Sequence, residues 1–235
     1  MKIGIITDIH NNEIALEAVI KRLNEEKVDG IICCGDLIGI GPSPEETVQM
    51  IKNLPNLMAC VAGNHERYLT EGMTLKSHMT LGEQAQHQWE HARLSEDSKA
   101  FIHELELEKR LIIHHKVIHV IHYAMNDNKD YLHLVKNPSL AEIEQAYENI
   151  EADVILYGHQ HSPSILKGKK RFINPGSVGC PGDSTVARAG ILIINEAIEF
   201  VPLEIEYPVN QVLQKIDRLN YPDGDVVKKI FYGVD

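Results

Sequence analysis

Two histidines separated by a single residue follow a short apolar run. The run DVILY (153–157) stops at Gly158, and His159 and His161 come directly after it. Residues two apart in an extended chain point to the same side, so both imidazoles would face one place. Imidazole is a common ligand of transition-metal ions. The spacing therefore indicates a metal site, and a polar loop with incidental histidines is the alternative interpretation.

The same arrangement recurs after four other apolar runs. Residues of metal-ligand type follow them: Asp8 and His10 after 2–7, Asp36 after 29–34, Asn64, His65 and Glu66 after 57–62, and His122 after 116–121. Glycine stands beside them at Gly35, Gly63 and Gly158, where it allows a close backbone approach or a positive φ. In open α/β sheets, ligands bind outside the carboxyl ends of strands. Each motif alone is weak, but the five together predict one shared metal site.

The elements that would position these residues begin as β-α-β-α-β. Apolar residues at helical spacing follow the first strand, and Asn11 or Asn12 is the predicted N-cap. Ser43 as N-cap, Pro44 at the first position and Glu46 three residues after the cap predict a second helix. Such a beginning implies parallel strands joined by crossover helices.

The segment 66–110 reads as polar helices, and further strands are predicted at 116–121, 153–157, 171–173, 190–194 and 198–203. We expect one domain over 1–205, in which 66–110 is a helical insertion that could cap the active site, followed by a helical tail over 206–235. His87 and His91 are four residues apart, which predicts a solvated helix face.

Composition is that of an ordinary globular protein. Of 235 residues, 43% are hydrophobic and 24% charged, and the net charge of -11 argues against broad nucleic-acid binding. The four cysteines form no CxxC motif and read as reduced thiols. An apolar strand starts near Met1, which argues against a signal peptide, and no run reaches transmembrane length. We expect a cytoplasmic protein without membrane association, and its oligomeric state, a homo-oligomer included, stays open.

Taken in order, the motifs Asp8-x-His10, Gly35-Asp36, Gly63-Asn64-His65-Glu66, His122 and Gly158-His159-x-His161 resemble the calcineurin-like metallophosphoesterase superfamily. The resemblance spans about residues 1 to 195, and NPGSVG (174–179) is similar to the small bacterial and archaeal phosphodiesterase branch. It implies an α/β fold, a four-layer α/β/β/α sandwich of two mixed β-sheets, with two metal ions at the strand ends.

The same resemblance implies a role for each matching residue. Asp8, His10 and His161 would bind one metal, Asn64, His122 and His159 the other, and Asp36 would bridge them. His65 would be the general acid. Glu66, and less clearly Asn174 and Ser177, would orient the site or contact substrate. A nitrogen and oxygen ligand set without thiolate suits manganese, iron, zinc, cobalt or nickel.

The implied activity is hydrolysis of a small phosphate ester by a hydroxide that bridges the two metals. Phosphodiesters or nucleotides are the expected substrates, with phosphomonoesters and dinucleoside polyphosphates left open. The stretch GDLIGIGP lacks the Asp-Arg-Gly of protein phosphatases, and Tyr123 follows His122 where the small branch usually has glycine. The alternative is a catalytically silent scaffold that binds a protein partner, like the retromer cargo-recognition subunit. His65 favours the enzyme, because a scaffold needs no acid.

Overall fold

Two five-stranded sheets form the centre of the protein, whose computed structural model describes residues 1–72, 79–182 and 185–234. The strands of the first sheet are β1 (Lys2–Ile6), β2 (Gly30–Cys33), β3 (Leu57–Cys60), β9 (Val186–Ile194) and β10 (Ile198–Glu206). Those of the second are β4 (Glu108–Ile113), β5 (Lys116–Ile121), β6 (Val154–Leu156), β7 (Ser164–Lys167) and β8 (Arg171–Asn174). The described helices are α1 (Glu13–Glu25), α2 (Pro44–Lys52), α3 (Asn64–Thr70), α4 (Leu81–His91), α5 (Glu96–His103), α6 (Leu140–Ala146), α7 (Val209–Arg218) and α8 (Gly224–Tyr232).

Both sheets are mixed. The first has the order β10-β9-β1-β2-β3, with β1, β2 and β3 parallel and β9 and β10 antiparallel to their neighbours. The second has the order β4-β5-β6-β8-β7, with β5, β6 and β8 parallel and the edge strands β4 and β7 antiparallel. The predicted metal ligands all follow the carboxyl ends of parallel strands, namely β1, β2, β3, β5 and β6.

Three apolar clusters separate four layers. The inner faces of the two sheets meet through aliphatic side chains such as Ile5, Ile32 and Leu156. The outer face of the first sheet packs against α1, α2, α7 and α8, and that of the second packs against α6 through Tyr147 and Phe172. The predicted α/β/β/α sandwich of two mixed sheets is therefore confirmed.

The helix-start predictions have different outcomes. Asn12 caps α1, because its side chain accepts a hydrogen bond from the amide of Ala15 at 3.0 Å. Helix α2 begins at Pro44 with Ser43 at the N-cap position, as predicted, but the Ser43 side chain makes no capping hydrogen bond. The orientation of the Ser43 hydroxyl is thus not what starts α2.

Several elements differ from the prediction. Within 66–110 the described residues form most of α3 and all of α4 and α5, but the end of the segment belongs to β4, which pairs with β5 across a hairpin whose tip is His114 and His115. Strand β7 and helix α6 were not predicted, whereas α7 and α8 lie in the predicted helical tail. Among the described residues, no helix is both long and apolar enough to cross a membrane. The division into a 1–205 domain and a 206–235 tail stays a prediction, although α7 packs against α1.

Candidate metal centre

The loops after β1, β2 and β6 hold their predicted ligands in strained backbone conformations. Five of these residues have positive φ, between 51° and 70°: Asp8, His10, Asp36, His159 and His161. Residues other than glycine rarely adopt this backbone region, and holding one there costs about 1–3 kcal/mol of folding free energy. The surrounding fold must therefore stabilise these turns. Strain concentrated at predicted ligands is typical of a functional site.

Asp8, His10 and His161 form the first cluster. Their ligand atoms all lie within 4.8 Å of one another. The Nε2 atoms of His10 and His161 are 2.9 Å apart, and Asp8 Oδ1 lies 3.8 Å from the first and 3.6 Å from the second. Asp8 and His10 are fully buried. One carboxylate oxygen and two imidazole nitrogens thus converge on one point, as a transition-metal ion requires.

Asp36, His122 and His159 form the second cluster, again with ligand atoms within 4.8 Å. The Nε2 atom of His122 lies 3.2 Å from Asp36 Oδ2 and 3.3 Å from Asn64 Oδ1. Asp36 Oδ2 is also 3.8 Å from Nε2 of His10, which belongs to the first cluster. Asp36 therefore stands between the two clusters, where a bridging ligand would stand.

The orientation of two imidazoles fits metal binding. Nδ1 of His10 lies 3.2 Å from the carbonyl oxygen of Ile38, and Nδ1 of His122 lies 2.8 Å from that of Cys34. A carbonyl only accepts, so each Nδ1 carries a proton, and each Nε2 is the ring atom that faces the cluster. Carbonyl support behind a histidine is the usual arrangement in metal sites. The residues therefore fit bound divalent metal.

Burial and neighbouring charges shift the pKa values of two ligand histidines in opposite directions. Burial lowers the pKa of His10 to about 3, and the facing imidazole of His161 adds to this effect. Burial acts in the same direction on His122, but the carboxylate of Asp36 outweighs it and raises the pKa of His122 to about 10. The buried carboxylate of Asp36 thus holds positive charge at its own cluster, which is what a bound metal ion would supply.

Three glycines beside the ligands allow the loops to approach closely. A Cβ at Gly63 would lie 2.6 Å from the backbone nitrogen of Asp36, and one at Gly158 would lie 2.6 Å from Asp8 Oδ2. Gly35 has a φ of +95°. Real Cβ contacts are essentially never shorter than 3.0 Å. The roles predicted for these glycines, close approach and positive φ, are confirmed.

Glu66, Asn174 and Ser177 support the ligand loops from behind. The buried Glu66 carboxylate accepts hydrogen bonds from four backbone amides, those of 36, 37, 38 and 63, at 2.7–3.1 Å. Asn174 donates to the carbonyl of Gly158 at 3.0 Å, and Ser177 donates to that of Asp8 at 2.7 Å. All three side chains are fully buried, so the geometry fits loop support better than substrate contact.

His65 lies at the start of α3, beside the metal ligands. Its Nε2 is 4.0 Å from Asp36 Oδ2, and its ring centroid is 5.0 Å from that of His10. Tyr68 and His87 line the other side of the ring, with centroids at 5.6 Å and 5.1 Å. The prediction of a solvated helix face is wrong for His87, which is 4% exposed. The burial of His87 depends on contacts with elements distant in the chain, and no local sequence pattern predicts it.

Aromatic rings complete the wall around the second cluster. The Tyr131 ring stacks on the ring of His159, with centroids 5.8 Å apart. The guanidinium of Arg67 also lies over the Tyr131 ring, 5.4 Å from its centroid. Tyr123 also contacts His159, with centroids 5.1 Å apart. The sequence reasoning noted Tyr123 but missed Tyr131 and Arg67, because their proximity depends on loop folding.

A family model places this architecture in a known class. The model of the calcineurin-like phosphoesterase superfamily domain matches residues 1–197. The chain therefore belongs to the calcineurin-like phosphoesterase superfamily, as its motifs predicted.

Individual relatives extend the likeness over the whole chain. An uncharacterized protein of Methanocaldococcus jannaschii, MJ0912, is 28% identical over an alignment of 257 positions, which covers 98% of each chain. The crystal structure of hypothetical protein PH1004 from Pyrococcus horikoshii has a TM-score of 0.87 at 17% identity, covering 100% of this chain and 99% of that one. A metallophosphoesterase from Sphaerobacter thermophilus has a TM-score of 0.76 at 24% identity, with the same coverage. At these identities the two structures support the fold alone.

Proposed function

We propose that this protein is a dinuclear metal-dependent phosphoesterase that hydrolyses small phosphodiesters or nucleotides. The observation that carries the proposal is the pair of ligand clusters with Asp36 between them, whose Oδ2 lies 3.2 Å from Nε2 of His122 and 3.8 Å from Nε2 of His10. Two metal ions held by a shared carboxylate are a recurrent device for phosphoryl-group hydrolysis. Membership of a phosphoesterase superfamily agrees with this activity.

The ligand sets follow the two clusters. Asp8, His10 and His161 would hold one ion, Asn64, His122 and His159 would hold the other, and Asp36 would contact both. Bound ions would supply Lewis-acid activation of water and neutralise the phosphate charge. Manganese, iron, zinc, cobalt and nickel all suit this mixed donor set.

His65 is the general acid in this proposal. Its side chain is 15% exposed, so part of the ring is accessible from solvent. In this role it donates a proton to the departing alkoxide oxygen. An imidazole is suited to proton transfer near neutral pH, and such help is worth about 10²- to 10⁴-fold in rate.

The test combines metal reconstitution with a substrate panel. Protein loaded separately with each of the five metals is assayed on nitrophenyl and alkyl phosphodiesters, phosphomonoesters and nucleotides. We expect hydrolysis that chelation abolishes, and a His65→Ala variant that keeps its metal but loses about 10²- to 10⁴-fold on alkyl esters. His103→Ala, an exposed histidine on α5, is the matched control. A protein that binds two metals but hydrolyses no ester of the panel would refute the enzyme and favour the scaffold.

A further inference from the structure

Glu90 is a fully buried carboxylate that comes from α4, outside the five strand-end motifs. Its Oε2 accepts hydrogen bonds from the backbone amide of Gly39 and from the Asn11 side chain, both at 2.7 Å. Its Oε1 lies 2.6 Å from Nδ1 of His87. Because a carboxylate accepts, His87 donates this bond from Nδ1. One acidic side chain therefore connects α4 to the loops after β1 and β2.

Two of the three groups that Glu90 holds lie against the ring of His65. A Cβ on Gly39 would lie 2.6 Å from two carbon atoms of the His65 imidazole, so the Gly39 backbone is in direct contact with that ring. The His87 ring lies on it as well, with centroids 5.1 Å apart and planes inclined by 38°. Glu90 thus fixes two surfaces that enclose one imidazole.

The third group connects Glu90 to the ligands. Asn11 follows His10 directly and has a φ of +53°. Breaking a buried hydrogen bond to a charged group leaves its partner unsatisfied, at a cost of about 1–3 kcal/mol or more. Among the described residues, the side-chain amide of Asn11 and the backbone amide of Gly39 donate no other hydrogen bond. Loss of Glu90 would therefore loosen both loops on the side that faces His65.

We propose that Glu90 and His87 are positioning residues for His65, which hold its imidazole in the orientation for proton donation to the leaving group. This inference rests on the proposed function, because it assumes that His65 is the acid. A small displacement of a catalytic group has a large kinetic effect, since about 1 Å can cost about 10²-fold. Neither residue touches substrate in this role.

His87, Glu90 and His91 also offer one ligand atom each within 4.8 Å of one another, a spacing that a metal ion could occupy. The 2.6 Å bond between Glu90 and His87 accounts for the arrangement without an ion, because both atoms are already paired. The two interpretations differ in stoichiometry. Positioning leaves two metals per chain, and a third metal that is lost with His91→Ala would overturn it.

The experiment compares leaving groups in single and double variants of the metal-loaded enzyme. Glu90→Ala removes all three bonds. Glu90→Gln keeps one carbonyl oxygen for Gly39 and Asn11 and can donate to Nδ1 of His87 if that ring carries its proton on Nε2. His87→Asn keeps a donor near Glu90 but removes the ring against His65. Glu96→Gln is the matched control, because the Glu96 side chain is 92% exposed.

Each variant is made with and without His65→Ala and assayed on a nitrophenyl ester and an alkyl ester. We expect Glu90→Ala and His87→Asn to lose at least about tenfold on the alkyl ester and under about twofold on the nitrophenyl ester, because a good leaving group needs little acid help. Glu90→Gln should recover most of the rate. In the His65→Ala background, all three should have no further effect.

The outcomes are separable. Equal losses on both esters, or the same loss with and without His65, would refute the positioning role. If the rate loss in His65→Ala is the same for both leaving groups, His65 is not the general acid, and the proposed function is refuted at that point together with the positioning role of Glu90 and His87. Should Glu90→Ala fail to fold, His87→Asn and Glu90→Gln still decide the question. Metal content and thermal unfolding, measured for every variant, separate local loosening from global loss of structure.

Discussion

Gly63→Ala is the sharpest test of how closely the loops pack around Asp36. Gly63 has φ -94° and ψ -167°, values that alanine adopts freely, so the change introduces no backbone strain. The new Cβ would, however, lie 2.6 Å from the backbone nitrogen of Asp36 and closer still to its Oδ1. An ordinary contact needs about 3.4 Å, so one of the two loops must move by about 0.8 Å or more.

Neither loop can move easily, because Glu66 accepts hydrogen bonds from the amides of both Asp36 and Gly63. Overpacking of this kind costs about 1–3 kcal/mol. The displacement acts directly on the residue that stands between the two clusters, so we expect activity to fall by about 10²-fold and metal to be lost from both positions.

The assay measures three quantities on the same preparation: bound metal per chain, turnover of a nitrophenyl phosphodiester, and the thermal midpoint of the metal-free protein. Gly82→Ala is the control, because the new Cβ would meet only the tip of the exposed Asp223 side chain. Two metals per chain and turnover within about twofold of wild type would refute the packing argument for Gly63→Ala.

Three further predictions follow from the site and the core. Asp36→Asn should weaken both metal positions and remove most activity, since it takes one negative charge from a shared ligand; two fully occupied ions in that variant would contradict bridging. His161→Ala should chiefly empty the position built by Asp8 and His10, whereas His159→Ala should empty the other; anomalous scattering that shows the same position vacant in both crystals would refute the assignment. Leu156→Ala, in the fully buried core between the sheets, should lower the free energy of unfolding by about 2–5 kcal/mol, and denaturant titration that gives less than about 1 kcal/mol would contradict its packing role.

The strands that carry ligands were predictable because each is an uninterrupted apolar run that ends in a polar motif. Strand β4 was not, since Glu108, Lys109 and Arg110 continue the charged pattern of the preceding helices, and only pairing with β5 makes them a strand. Long-range contacts outweigh local propensity there.

The candidate site was also predictable only in part. That five strand ends meet at one site follows from chain order and from the rule that ligands bind at the carboxyl ends of strands. Glu90 and His87 could not be identified by this rule, because the sequence of α4 is mostly polar. Their burial depends on contacts with Asn11 and Gly39, which are 79 and 51 residues away from Glu90. A buried carboxylate in a polar helix leaves no periodic signal.

The two ligand clusters draw on both sheets of the sandwich. Asp8, His10 and Asp36 follow β1 and β2 of one sheet, whereas His122 and the histidines after β6 follow strands of the other. Each cluster takes residues from both sheets, so a slide of one sheet over the other would change the distances between ligands within each cluster. The apolar layer between the sheets fixes how the two sheets lie against each other. Under the proposed function, we expect substitutions in that layer to change metal affinity and turnover without touching a ligand.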